Sequence, residues 1–168
     1  TNYGQQTVFN VPTADVLGQG KVYAEIDAAF KIDRTQSFGR FSSFVPRVVF
    51  GVGGNFEVGL NVTGNIQPGS DSTTLVPTVK WKFYKNKKND VALFGGTHIF
   101  IPVRNRSYNI GSYHYLAAAK TFNKTRVTAG AYVATKNVFA SNASRAGGQF
   151  AIEHTVNDKF AVAADWYT

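Results

Sequence analysis

Apolar and polar side chains alternate with a period of two along most of this chain. The run from 21 to 31 shows the pattern first, and its apolar positions are Val22, Ala24, Ile26, Ala28 and Phe30. A period of two is the signature of a β-strand whose two faces meet different environments. No helical period fits this run, so the sequence predicts an all-β fold.

Further segments repeat the alternation, which gives about nine predicted strands in all. They cover residues 47–52, 57–63, 75–84, 91–101, 110–120, 126–135, 147–154 and 160–167. The connections alternate in length. Short turns lie near Gly53, Lys87, Asn123 and Asn157, while longer polar connections lie at 34–39, 67–71, 104–108 and 136–144. We therefore expect an up-and-down antiparallel β-barrel of about 9–10 strands, with short turns at one rim and longer loops at the other.

The composition restricts how such a fold can meet a membrane. No stretch approaches the roughly 18 apolar residues of a membrane-spanning helix, so the chain can cross a bilayer only as a closed barrel. Hydrophobic residues make up 43% of the chain, charged residues make up 17%, and 16 residues are Gly, a balance typical of barrels and other all-β folds. Cys is absent, which excludes disulfides, thiolate nucleophiles and Cys-based zinc sites.

The alternation also fits a soluble β-barrel that binds a lipid or a small apolar ligand. Such a barrel shows the same alternation, but its apolar face lines the interior and its polar face meets water. Three features favour lipid on the outside. The apolar face carries almost no charge, the polar face mixes charges with small residues, and large aromatic residues gather near the strand ends as two interfacial girdles. The girdle positions are Phe50, Phe56, Trp81, Phe83, Phe122, Phe160, Phe30, Tyr113 and Trp166.

With lipid outside, the charged side chains of the polar face point into a narrow lumen. They are Lys21, Glu25, Asp27, Arg47, Glu57, Lys80, Lys82, Lys120, Arg126, Glu153 and Asp165. An unpaired charge away from water is costly, so these residues either pair across neighbouring strands and fill the lumen or line a selective conduit. Because the chain has a net charge of +8, we expect the lumen to be positive in character and to prefer small anions weakly.

From Lys21 to Thr168, the strands, the girdles and the alternation of turns with loops resemble bacterial outer-membrane β-barrel proteins as a class. The resemblance implies a location in the bacterial outer membrane, contact with membrane lipid or detergent, and insertion by the barrel assembly machinery. It also implies a porin-like channel or a structural barrel. We expect no enzymatic activity, no cofactor and no nucleic-acid partner.

The strand count departs from this class, whose single-chain members carry even numbers of strands. Nine strands would leave Thr168 at the loop rim, so we expect a chain shortened at its C-terminus that lacks a closing strand. The alternative is that Thr7–Val11 contributes a tenth strand. The predicted organisation is an N-terminal arm or plug at 1–20, followed by the barrel at 21–168.

Candidates for chemistry are few. His98, His114 and His154 lie on three different predicted strands without the spacing of metal ligands, so no metal site is predicted. Ser112 and His114 point the same way along one strand, which keeps an outer-membrane lipid-modifying enzyme as a third hypothesis. The chain has no Gly-x-Ser-x-Gly motif to support that hypothesis.

Overall fold

The computed structural model describes residues 7–8, 11–31, 40–63, 73–103, 110–136, 138 and 144–168. A small sheet pairs β1 (Thr7–Val8) with β2 (Val11–Pro12). A nine-stranded antiparallel sheet contains β3 (Val22–Lys31), β4 (Arg40–Gly53), β5 (Phe56–Thr63), β6 (Thr74–Asn86), β7 (Val91–Pro102), β8 (Gly111–Phe122), β9 (Thr125–Ala134), β10 (Ala146–Asn157) and β11 (Phe160–Tyr167). Its strands are hydrogen-bonded in sequence order, which confirms the predicted all-β antiparallel meander. In the described ranges, no helix has the length and hydropathy needed to cross a membrane.

Strand β4 differs most from its prediction, because it begins at Arg40 rather than near Arg47. Pro46 interrupts the alternation, and a proline, which has no N–H to donate, usually marks a strand boundary or an edge. In the structure Pro46 lies opposite Ile26, and the pairing of β4 with β3 continues past it to Arg40.

Four tight turns lie at one end of the large sheet, which we call the turn end. They connect β4 to β5, β6 to β7, β8 to β9 and β10 to β11. Asn55, Asp90 and Asn123 have φ angles of 60°, 48° and 53°, and Gly54 has a φ of 60°. Tight hairpin turns need positive φ, which Gly, Asn and Asp adopt most easily. The opposite end, the loop end, carries the longer connections, most of which fall outside the described residues.

The edge strands of the large sheet are β3 and β11, and both run from the turn end towards the loop end. Within the described part of the chain, no Cα atom of β3 lies within 8 Å of a Cα atom of β11. Strands β1 and β2 pair with each other rather than extending either edge. The described residues of the proposed tenth strand, Thr7, Val8 and Val11, therefore do not extend this sheet.

The two faces of the large sheet differ in exposure. On β8, Tyr113, Tyr115, Ala117 and Ala119 are buried, whereas Leu116 and its neighbours on the other face are exposed. We call the buried side the enclosed face and the other side the outer face. The sheet bends round the enclosed face, because residues 11–17 contact strands from both halves of the strand order. The Val11 N–H donates to Asp165 on the edge strand β11, and the Leu17 N–H donates to Glu57 on β5, the third strand from the opposite edge.

Candidate functional site

Many large apolar side chains of the large sheet are exposed, and several polar and charged side chains are buried beside apolar ones. Large apolar side chains are exposed on the outer face, among them Val22, Ile26, Leu60, Trp81, Leu116, Val133, Ile152, Val162 and Trp166. The buried polar and charged side chains include Glu57, Thr78, Lys80, Thr128 and Gln149. Charged residues are almost never fully buried unless they are paired. The buried charges of the enclosed face are therefore expected to be paired.

Glu57 and Lys80 form an ion pair on the enclosed face. They are direct cross-strand partners on β5 and β6, Lys80 Nζ lies 2.9 Å from Glu57 Oε1, and both side chains are 0% exposed. Glu57 Oε2 also accepts the hydrogen bond from the Leu17 N–H, at 2.8 Å. Two charges without access to water are tolerated when they compensate each other. The pair thus joins β5 and β6 to the N-terminal segment.

Arg126 on β9 makes the second link to the N-terminal segment. Its guanidinium lies 2.5 Å from Asp15 Oδ2 and 2.6 Å from Glu153 Oε2, and Glu153 is its direct cross-strand partner on β10. One arginine thus bridges two carboxylates, which suits its planar set of donors. Asp15 was missed by the sequence analysis because it lies outside every alternating run. The available signal was that Asp15 is the one charged residue between Val11 and Gly20.

The segment 11–18, which we call the plug segment, lies across the turn end of the enclosed face. It starts at β10 and β11, where Val11 is fully buried and packs with Ala151. Ala14 packs into the core cluster formed by β7, β8 and β9. Two residues beyond its far end, the Gly20 N–H donates to Gly51 O on β4, at 2.9 Å. A Cβ atom at Gly51 would collide with the carbonyl oxygens of Gly18 and Leu17, so only glycine allows this close approach.

An aromatic cluster occupies a further part of the enclosed face. The rings of Tyr113 and Tyr132 are stacked with centroids 5.6 Å apart, and His98 lies 5.6 Å from Tyr113 and 5.9 Å from Tyr115. The Tyr113 hydroxyl donates to Gln149 Oε1 at 2.9 Å. Phe94 packs against Tyr115 with centroids 6.3 Å apart. These rings, the plug segment and the ion pairs leave this part of the enclosed face packed rather than open.

Most of the charged residues assigned to the lumen lie together on the enclosed face. Arg47 and Glu25 are a further pair, 3.6 Å apart, and Asp165 accepts the Val11 hydrogen bond. Lys21 instead is exposed at the turn end, and the side chain of Asp27 is outside the described residues. Lys120 corrects the prediction. It lies on the outer face, in the same alternation as Leu116, because the Tyr and Ala residues of β8 occupy the enclosed face.

The expected excess of positive charge is also corrected for the described side chains of the enclosed face. The cations there are Arg47, Lys80, Lys82 and Arg126, and the carboxylates are Asp15, Glu25, Glu57, Glu153 and Asp165. The carboxylates are at least as numerous as the cations. The net charge of +8 therefore resides elsewhere on the molecule.

The assigned girdle residues mostly lie on the outer face. Phe50, Trp81, Phe83, Phe122, Phe160 and Trp166 are exposed. Phe56 is half-buried beside Trp81, and the side chain of Phe30 is outside the described residues. Tyr113 corrects the prediction, because it is buried on the enclosed face. Its hydroxyl requires a partner and finds one in Gln149, which the outer face would not provide.

A cavity of about 720 Å³ opens at the turn end beside β8 to β11. Its lining is polar and includes Arg126, Glu153, Thr121, Thr155 and Lys124. Such walls suit water or small polar solutes and do not suit an apolar ligand, whose sites are lined mainly by hydrophobic side chains.

The three histidines lie apart from one another, whereas Ser112 and His114 are hydrogen-bonded. His114 Nε2 is 3.0 Å from Ser112 Oγ and its Nδ1 is 3.0 Å from Thr97 Oγ1, on the outer face. His98 is in the aromatic cluster, and His154 contacts Thr125. Within the described ranges, no three His, Asp or Glu residues are grouped so that they could hold a metal ion.

Comparison of the chain with protein-family models, with curated proteins and with solved structures finds no match.

Proposed function

We propose that this chain is a β-barrel of the bacterial outer membrane, with its outer face against lipid and a polar interior occupied by the plug segment. The observation that carries the proposal is the contrast between two consecutive residues of β6. Lys80 is 0% exposed and Trp81 is 52% exposed. In water, the free energy of transfer favours a buried tryptophan and an exposed lysine. In a bilayer, it favours a tryptophan that faces lipid and a lysine that is kept inside.

The size of the hydrophobic effect supports lipid rather than water at the outer face. Moving one large apolar side chain out of water is favourable by on the order of 1.5–3 kcal/mol. The outer face exposes residues such as Leu116, Trp166 and Ile26 on strands from one edge of the sheet to the other. Contiguous apolar surface of more than a few hundred Å² is uncommon on soluble monomers. The polar cavity likewise argues against the alternative of a soluble barrel that holds an apolar ligand.

The packing of the enclosed face favours a structural or closed barrel over an open porin. The plug segment, the Glu57–Lys80 pair and the aromatic cluster occupy the space that a conduit would need. The balance of charges removes the basis for the anion preference expected from the sequence. We therefore propose little or no conductance while the plug segment is in place. Insertion would depend on the barrel assembly machinery.

Trp81 and Trp166 provide the test, because they are the two tryptophans of the chain and both lie on the outer face, 52% and 60% exposed. We expect the purified protein to stay monodisperse only in detergent or lipid. In bilayers, the single-tryptophan variants Trp166→Phe and Trp81→Phe should both lose most of their fluorescence when the lipid acyl chains are brominated. A protein that is monodisperse in plain buffer, and whose tryptophans are not quenched, would be the soluble barrel instead.

A further inference from the structure

Exposed lysines surround three of the four tight turns at the turn end. We call this group the lysine collar, and its members are Lys85, Lys87, Lys88 and Lys120, together with Lys124 and Lys159, which also line the polar cavity. The exposed carboxylates of the same turns are Asp90 and Asp158. The collar therefore contains a large part of the positive charge that the enclosed face does not hold.

The collar adjoins exposed aromatic side chains on the outer face. Lys120 Nζ lies 4.8 Å from the centroid of the Phe122 ring, and the Trp81 and Phe83 rings are 5.5 Å apart near the same end. Lysine buries its aliphatic stem along apolar surface while its ammonium group stays at a polar boundary. Aromatic rings collect at the level of lipid headgroups. Along β6 and its turn, Lys87 and Lys88 lie beyond the rings of Trp81 and Phe83, which is the order in which a phospholipid presents its phosphate and its acyl chains. Lys120 lies on the other side of Phe122 from the turn, so its ammonium group reaches the headgroup level only by extending along the ring.

We propose that the lysine collar binds the phosphate groups of anionic phospholipids in the leaflet next to the turn end. The inference rests on the proposed function, because it requires the outer face to be in a bilayer. A nucleic acid is a poorer occupant, since its phosphates would have to lie beside the apolar outer face. Each lysine near an anionic membrane surface favours binding by on the order of fivefold.

The test uses the two tryptophans as reporters at opposite ends of the barrel. Trp81 is close to the turn end, where it pairs with Phe56 directly after the β4–β5 turn, and Trp166 is near the loop end of β11. In phosphatidylcholine bilayers, brominated phosphatidylglycerol is compared with brominated phosphatidylcholine as the quencher. We expect phosphatidylglycerol to be preferred at Trp81 by on the order of fivefold, with a preference near one at Trp166. Raising the salt concentration should weaken the preference at Trp81.

Two charge-matched variants complete the experiment. Lys87→Gln/Lys88→Gln should reduce the preference at Trp81 severalfold, because it removes two cations from an exposed turn. Lys136→Gln/Arg145→Gln removes two exposed cations from the loop end and should leave that preference unchanged. Equal quenching of Trp81 by both lipids, or equal effects of the two variants, would refute phospholipid binding by the lysine collar. Neither result would contradict the proposed barrel. If neither brominated lipid quenched Trp81 or Trp166, the proposed membrane barrel itself would be refuted.

Discussion

Replacement of Lys80 by methionine is expected to lower the free energy of unfolding by about 3–5 kcal/mol. Methionine fills a similar volume but leaves the Glu57 carboxylate, which is 0% exposed, without the cation 2.9 Å away. Removing one member of a buried ion pair costs more than the pair contributes, because the remaining charge is uncompensated. Urea titration of the lipid-reconstituted protein, followed by tryptophan fluorescence, measures the change.

Two further variants separate the lost charge from a packing defect. Glu57→Gln/Lys80→Met removes both charges and keeps an oxygen that accepts the Leu17 N–H, so it should recover most of the lost stability. Lys82→Met changes a half-buried lysine two residues along β6 and should cost less than about 1 kcal/mol. If Lys80→Met proved no more harmful than Lys82→Met, the charge pair would not be buried as described.

Replacement of Gly51 by alanine is expected to displace the plug segment and raise conductance. The new Cβ would meet the carbonyl oxygens of Gly18 and Leu17, which are backbone atoms and cannot rotate away. Overpacking typically costs about 1–3 kcal/mol. If that cost falls on the plugged state, it increases the displaced population roughly 5- to 150-fold. In planar bilayers the wild type should be nearly silent and Gly51→Ala should give current steps, with faster proteolysis of segment 11–18.

Gly148→Ala is the matched control, because the nearest atom to its added Cβ would be Gly130 O at an ordinary 3.8 Å. It should behave as the wild type does. Asp15→Asn approaches the same question without adding volume, since it removes the charge that pairs with Arg126, and it should shift conductance in the same direction as Gly51→Ala. Steady current from the wild type, or a silent Gly51→Ala whose plug segment stays protected, would contradict a closing role for this segment.

Local alternation was sufficient to predict the faces of several strands. On β9, Val127, Ala129, Ala131 and Val133 share the outer face, as expected from their spacing. The prediction for β8 has the two faces reversed, because Tyr and Ala count as apolar in the alternation although they lie on the enclosed face. Alternation gives two faces but not which of them is outside. On β8 the large apolar Leu116 was the better guide, since tyrosine hydroxyls need partners and alanines fit a crowded interior.

Contacts between distant parts of the chain could not be predicted from a single sequence. Asp15 and Arg126 are 111 residues apart, and nothing in either local pattern connects them. The prediction of a positive interior is wrong for the same reason. The net charge of the enclosed face depends on which carboxylates fold in beside the lysines and arginines. Cross-strand pairs such as Glu57 with Lys80 could be predicted only in part. The alternation shows that both residues share a face, but it does not give the register that places them opposite each other.

The common direction of the two edge strands limits how the proposed barrel can be completed. Strands β3 and β11 both ascend from the turn end, so a direct pairing between them would be parallel and would break the antiparallel order of every other neighbour. Antiparallel pairing all round the proposed barrel therefore depends on whether the number of strands added between β3 and β11 is odd or even. Any segment that completed the proposed barrel would have to contribute an odd number of strands, and the strand beside β11 would have to run from the loop end to the turn end.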